Sequence, residues 1–126
     1  MTLKVTEFDR SLKYRIVLND DCDENVAANV VGGPGMLKSI VFDNTQGSTT
    51  NYIRCANGSS STIADDEIRV SAACTGRSKR TIEFPDGLPF DLGLSFWCSA
   101  DADPSGNTAP AMTVTGGKVI VTLVVG

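Results

Sequence analysis

Apolar residues stand at every second position in several short runs of this chain, and no window sustains the spacing of a helix. Residues 67–72 alternate most strictly, with Ile68, Val70 and Ala72 on one side and Glu67, Arg69 and Ser71 on the other. Ile82 and Phe84 oppose Thr81 and Glu83; Leu92, Leu94, Phe96 and Cys98 share a side, with Gly93, Ser95 and Trp97 behind. Tyr14, Ile16 and Leu18 alternate with Lys13, Arg15 and Val17, and Val119, Val121, Leu123 and Val125 line one side of the last run. Successive side chains of an extended strand point to opposite faces, so this period places the first-named side of each run in a core.

Between the runs stand clusters of turn formers: GGPG at 32–35, DNTQGS at 43–48, NGSSS at 57–61, and DPSGN at 103–107. Pro85-Asp86-Gly87 is expected to turn the chain, because proline presets φ and glycine accepts positive φ. The best helical candidate, residues 21–31, holds two asparagines and three valines and runs into GGPG, so no helix is assigned there. Short strands with regular turn punctuation and little or no helix imply an all-β fold, an antiparallel β-sandwich or small barrel. At 126 residues the chain suits one domain, assigned to residues 11–126 behind an N-terminal arm of residues 1–10.

Two runs are apolar on both sides. Met36, Ile40 and Phe42 alternate with Leu37 and Val41, and Ile120 and Val124 stand behind the core side of the last run. Such strands are either covered twice or pressed against another subunit. Met36, Ile40, Phe42, Ile120 and Val124, together with Trp97, are therefore the candidate interface residues.

Composition narrows the function classes. Net charge is −4 and the only basic cluster, Arg77-Ser78-Lys79-Arg80, reads as a solvated loop, so nucleic acid is not an expected partner. No stretch is apolar for long enough to cross a bilayer as a helix, and the first ten residues lack the apolar segment of a secretory signal. With no histidine, neither a Ser-His nor a Cys-His nucleophile is available. No nucleotide-binding glycine motif occurs, and no enzymatic activity or cofactor is expected.

Cys22, Cys55, Cys74 and Cys98 are too scattered for the paired thiolates of a structural zinc site and read as small, buried, reduced thiols. Asp101, Asp103, Ser105 and Gly106 match the opening of an EF-hand loop, which makes Asp101, Asp103 and Ser105 a weak calcium candidate. The closing glutamate is missing, Met112 standing in its place, and an ordinary capped turn is the simpler reading. Asp20, Asp21, Asp23 and Glu24 read as a solvated acidic loop, and Asn57-Gly58-Ser59 is a glycosylation sequon only on a secreted eukaryotic chain.

The order of three segments, GGPGMLKSIVFDNTQGSTTNYIRCANG (32–58), RTIEFPDGLPFDLGLSFWCSADADPSG (80–106) and GGKVIVTLVVG (116–126), resembles small virion structural proteins of tailed bacteriophages. The resemblance implies a jelly-roll-like β-sandwich on the capsid exterior of a virion, made in the host cytoplasm. It further implies a noncatalytic decoration or cement protein, a homotrimer whose partner is the major capsid protein, without nucleic acid or membrane. On this reading residues 1–10 would lie across a neighbouring capsid subunit. The alternative is a tail- or fibre-associated adhesin, a carbohydrate-binding module using Trp97, Tyr52 and loop carboxylates. A carboxylate-dependent hydrolase stands a distant third.

Overall fold

The computed structural model describes residues 3–7 and 14–126. Each alternating run forms a strand: β1 (Leu3–Glu7), β2 (Arg15–Cys22), β3 (Gly35–Asn44), β4 (Asn51–Asn57), β5 (Ile68–Cys74), β6 (Ser78–Phe90), β7 (Leu94–Ser99) and β8 (Val119–Val125). A single 3-10 turn, Asp65–Glu67, is the only helical element among the described residues. The strands make two antiparallel sheets, one of five strands in the order β1-β2-β8-β3-β6 and one of three in the order β5-β4-β7. Their facing sides share one core, in which Leu37, Ile40, Phe42, Val121 and Leu123 of the wide sheet meet Ile53, Cys55, Leu94, Phe96 and Cys98 of the narrow one. The fold is thus a β-sandwich.

Residues 23–30 form no helix. They run beside β7, where Ala27 and Phe96 exchange backbone hydrogen bonds at 2.9 and 3.1 Å, and the Val30 and Cys98 amides donate to Leu94 and Asp23 carbonyls. The extended course buries both Ala27 and Val30.

Three expectations about local geometry are corrected. In β3, one residue, Lys38, is extra relative to β8, since Leu37 pairs with Val125 and Ser39 with Val124. This bulge switches the alternation, so Leu37, Ile40 and Phe42 all point inward and are fully buried. Ile40 and Phe42 are core residues and Met36 is left half-buried at the strand's start. Opposite the bulge, β6 skips from Glu83 to Leu88 in its pairing with β3, so Pro85-Asp86-Gly87 loops out within one strand and does not reverse it. Gly87 has φ +77, and a Cβ there would overlap the Met36 side chain. The reversal falls at 91–93, which leaves Leu92 63% exposed and out of the core.

The third correction concerns β2. Val17 and Asn19 face the core, opposite Leu123 and Val121, while Ile16 and Leu18 face outward and Tyr14 is exposed. The more apolar side of β2 is the side no second sheet covers. Within the expected N-terminal arm, Leu3–Glu7 pairs with β2 as an edge strand. Leu3 and Val5 share the face of Val17 yet stay exposed, because the narrow sheet does not reach β1. The rest of that arm lies outside the described residues.

Candidate functional site

The outward face of the wide sheet carries the largest departure from ordinary patterning. On β2, β8 and β3, cross-strand partners form rows: Ile16 beside Val124 and Ser39, Leu18 beside Thr122 and Val41, and Ile120 beside Asp43. Ile16, Leu18, Val41, Ile120, Thr122 and Val124 are all half-buried, and no second sheet lies over them among the described residues. Adjacent strands lie about 4.8 Å apart, so these side chains form one continuous apolar field. Its flank on β6 is polar, with Thr81, Glu83 and Lys79 paired to Val41, Ser39 and Asp43. A solvated face of an antiparallel sheet is ordinarily polar, and an apolar centre with a polar rim is the anatomy of an interface.

Of the residues expected at an interface, Ile120 and Val124 lie in this field. Met36 lies at one end of the sheet, where with Pro34, Pro89, Phe90 and Gly126 it lines an open apolar depression of about 320 Å³. Ile40 and Phe42 are removed by the bulge. Trp97 is removed by burial, at 5% exposure. Sequence reasoning missed Ile16, Leu18 and Val41; Val41 stood in a doubly apolar run, and Ile16 and Leu18 were read as the core side of an alternating one.

Trp97 belongs to the back of the narrow sheet, which is roofed by loops. Ser99 Oγ donates to the Thr108 carbonyl at 2.9 Å, and Ala100 and Thr108 are joined through their backbones. Trp97 floors a pocket of about 180 Å³ between this roof, at Pro104, Ser105 and Asn107, and Ser61, Ile63 and Asp65 of the loop after β4. Beside it, Arg54 is completely buried. Its Nη2 donates to the Ala102 carbonyl at 3.0 Å and its guanidinium lies 4.9 Å from the Tyr52 ring centroid. Nε and Nη1 have no hydrogen-bond partner. Burial lowers the Arg54 pKa, opposed by Tyr52, Asp101 and Asp103, and the guanidinium stays charged.

The acidic loop caps itself. Asp101 Oδ1 accepts the Asp103 amide at 3.1 Å, and Asp103 Oδ1 accepts the Ser105 amide at 3.0 Å and hydroxyl at 2.8 Å. Those two bonds from Ser105 hold the Asp103 carboxyl below its ordinary pKa. Among the described residues no group of three or more Cys, Asp or Glu side chains is placed to hold a metal ion. One carboxylate oxygen each of Asp101 and Asp103 is thus taken up by the loop's own backbone.

Buried asparagines tie the loops down. Asn44 Nδ2 donates to the Cys74 carbonyl at 2.9 Å and the Thr49 carbonyl at 3.1 Å, while its Oδ1 accepts from Asn51 Nδ2 at 2.8 Å. Asn57, the sequon residue, is 6% exposed and gives its amide to Asp91 Oδ1 at 2.6 Å. Arg77 takes a positive φ in the turn that carries the chain from β5 in the narrow sheet to β6 in the wide one, and Arg80 Nη1 donates to the Ala73 carbonyl at 2.8 Å, so the basic cluster serves that connection.

No helix among the described residues is long and apolar enough to cross a membrane. Set against known protein families, curated proteins and solved structures, the chain finds no match.

Proposed function

We propose that this protein is a noncatalytic capsid decoration protein of a tailed bacteriophage, a homotrimer that binds the major capsid protein on the head exterior and strengthens contacts between capsomers. The observation that carries the reading is the apolar outward face of β2, β8 and β3, with Ile16, Leu18, Val41, Ile120 and Val124 half-buried beside a polar rim. At about 25 cal/mol per Å², such area favours burial against copies of the chain and a shell.

The strand order supports the jelly-roll part of this reading. With residues 23–30 counted as the second of eight strands after β1, the chain pairs first with last (β2–β8), second with seventh (23–30 with β7), third with sixth (β3–β6) and fourth with fifth (β4–β5). Nested pairing of that kind is what a double Greek key wrapped into two sheets produces, an architecture frequent among viral capsid domains.

The adhesin reading needs an open aromatic platform, and Trp97 offers one edge beneath a loop. Electron microscopy of particles tests the choice: density for the protein on the head, and particles that burst at lower temperature without it, are expected. Density on the tail, with glycan binding lost in Trp97→Ala, would replace this reading by the adhesin.

A further inference from the structure

The two sheets meet at a pair of thiols. Cys22 closes β2 of the wide sheet and Cys98 lies in β7 of the narrow one, 76 positions further along the chain, yet their Sγ atoms are 2.8 Å apart. Both are buried, at 3% and 0% exposure, and Cys55 stands close by on β4. A disulfide needs its sulfurs at about 2.05 Å, so a shift of less than an ångström separates this contact from a bond. Cys74 is elsewhere, with its thiol directed at the Ser78 carbonyl 3.6 Å away.

We propose that Cys22 and Cys98 form a disulfide that staples the two sheets together when the chain meets a low-molecular-weight disulfide such as oxidised glutathione. One cysteine thiolate attacks the small disulfide, expelling one thiolate and leaving a mixed disulfide on the protein. The second cysteine thiolate then displaces the remaining small thiolate. The protein loses two hydrogens, two electrons pass to the oxidant, and one small disulfide becomes two small thiols.

The closed fold resists the first step. Burial pushes the Cys22 thiol well up, with Cys98, Asp23 and Asp21 adding to it, so little thiolate is present to attack. Exchange therefore proceeds while the chain folds, before the core closes. The bond joins distant parts of the chain and restricts the unfolded state, the situation in which a disulfide stabilises most. This inference is independent of which partner the outward face binds.

The test is to refold the full chain from urea with reduced and oxidised glutathione. Free thiols are then counted after denaturation, and a non-reduced digest is mapped by mass spectrometry. The expected result is a fall from the four free thiols of the reduced chain to two, a mass lower by about 2 Da, and a Cys22–Cys98 linked peptide. The Tm of the oxidised protein should exceed that of the reduced protein by about 10 °C, and Cys98→Ala should abolish both the link and the difference. Four free thiols after oxidative refolding, a link through Cys55 or Cys74, or a Tm indifferent to reductant would each overturn the proposal. The mapping needs only the unaltered chain, so it decides even if the variant does not fold.

Discussion

The wide and narrow sheets obey the same alternation and reach opposite outcomes on their outer faces. On β8 the outward residues Ile120 and Val124 are apolar and only half-buried. On β7 the outward residues Ser95, Trp97 and Ser99 are mostly polar or amphipathic and lie buried, because the loops of residues 58–66 and 100–110 fold over them. Polarity therefore does not report exposure in this chain. It reports what each face is to be matched with: hydroxyls where a loop supplies backbone partners, aliphatic groups where no second sheet arrives among the described residues.

The largest effect should come from the core that both sheets share. Phe96→Ala should cost about 3–5 kcal/mol in urea unfolding, since it removes a fully buried ring between the layers. A loss below about 1 kcal/mol would mean the sheets are held by something other than this packing.

The roofed face comes next. Asn44→Ala should cost about 2 kcal/mol, because carbonyls of Thr49 and Cys74 lose their donor in a buried setting. At Arg54 the chemistry can be separated from the volume. Arg54→Ala should cost about 2–3 kcal/mol through the space it leaves, whereas Arg54→Met should cost less than about 1 kcal/mol, because the buried guanidinium makes one hydrogen bond. Equal losses in the two variants would show that charge, not packing, holds the roof.

Substitutions on the open face should barely touch the folded monomer. Ile120→Ser with Val124→Ser is expected to change unfolding stability by less than about 1 kcal/mol while weakening self-association. A large monomer loss would move these residues from interface to core.

The smallest effect concerns pH. Burial works against ionisation of Asp43, but the Thr45 hydroxyl and amide and the charge of Lys79 outweigh it, so its pKa is lowered on folding. A carboxyl of this kind contributes stability above its unfolded pKa of about 3.9, and the contribution is lost as pH falls through the folded value. Asp43→Asn should therefore lessen the loss of stability below about pH 4 and leave the neutral-pH difference small. An unaltered acid profile would show that the bond to Thr45 forms equally in the unfolded chain.

What the sequence disclosed follows from the same contrast. Where one side of a strand is apolar and the other polar, as in β5 and the first half of β6, alternation identified the buried face correctly. Where both sides are apolar it identified the core side of β8, where Val119, Val121, Leu123 and Val125 are buried, but failed elsewhere. In β2 the side bearing Ile16 and Leu18 outweighs the side bearing Val17 and Asn19, and the stronger side faces outward. In β3 the bulge at Lys38 changes the phase, which a fixed period cannot anticipate. The covering of Trp97 was hidden for another reason, because it depends on a distant loop that carries no periodic signal of its own. The contact of Cys22 with Cys98 is equally tertiary.

The account rests on the open face being made for copies of the same chain. Sedimentation equilibrium of the purified protein, beside Ile120→Lys with Val124→Lys, addresses that directly. The account predicts a species of three times the 13.3 kDa chain mass for the unaltered protein and a folded monomer for the variant. An unaltered protein that remains at 13.3 kDa across the concentration range, or a variant that still forms trimers, would contradict it.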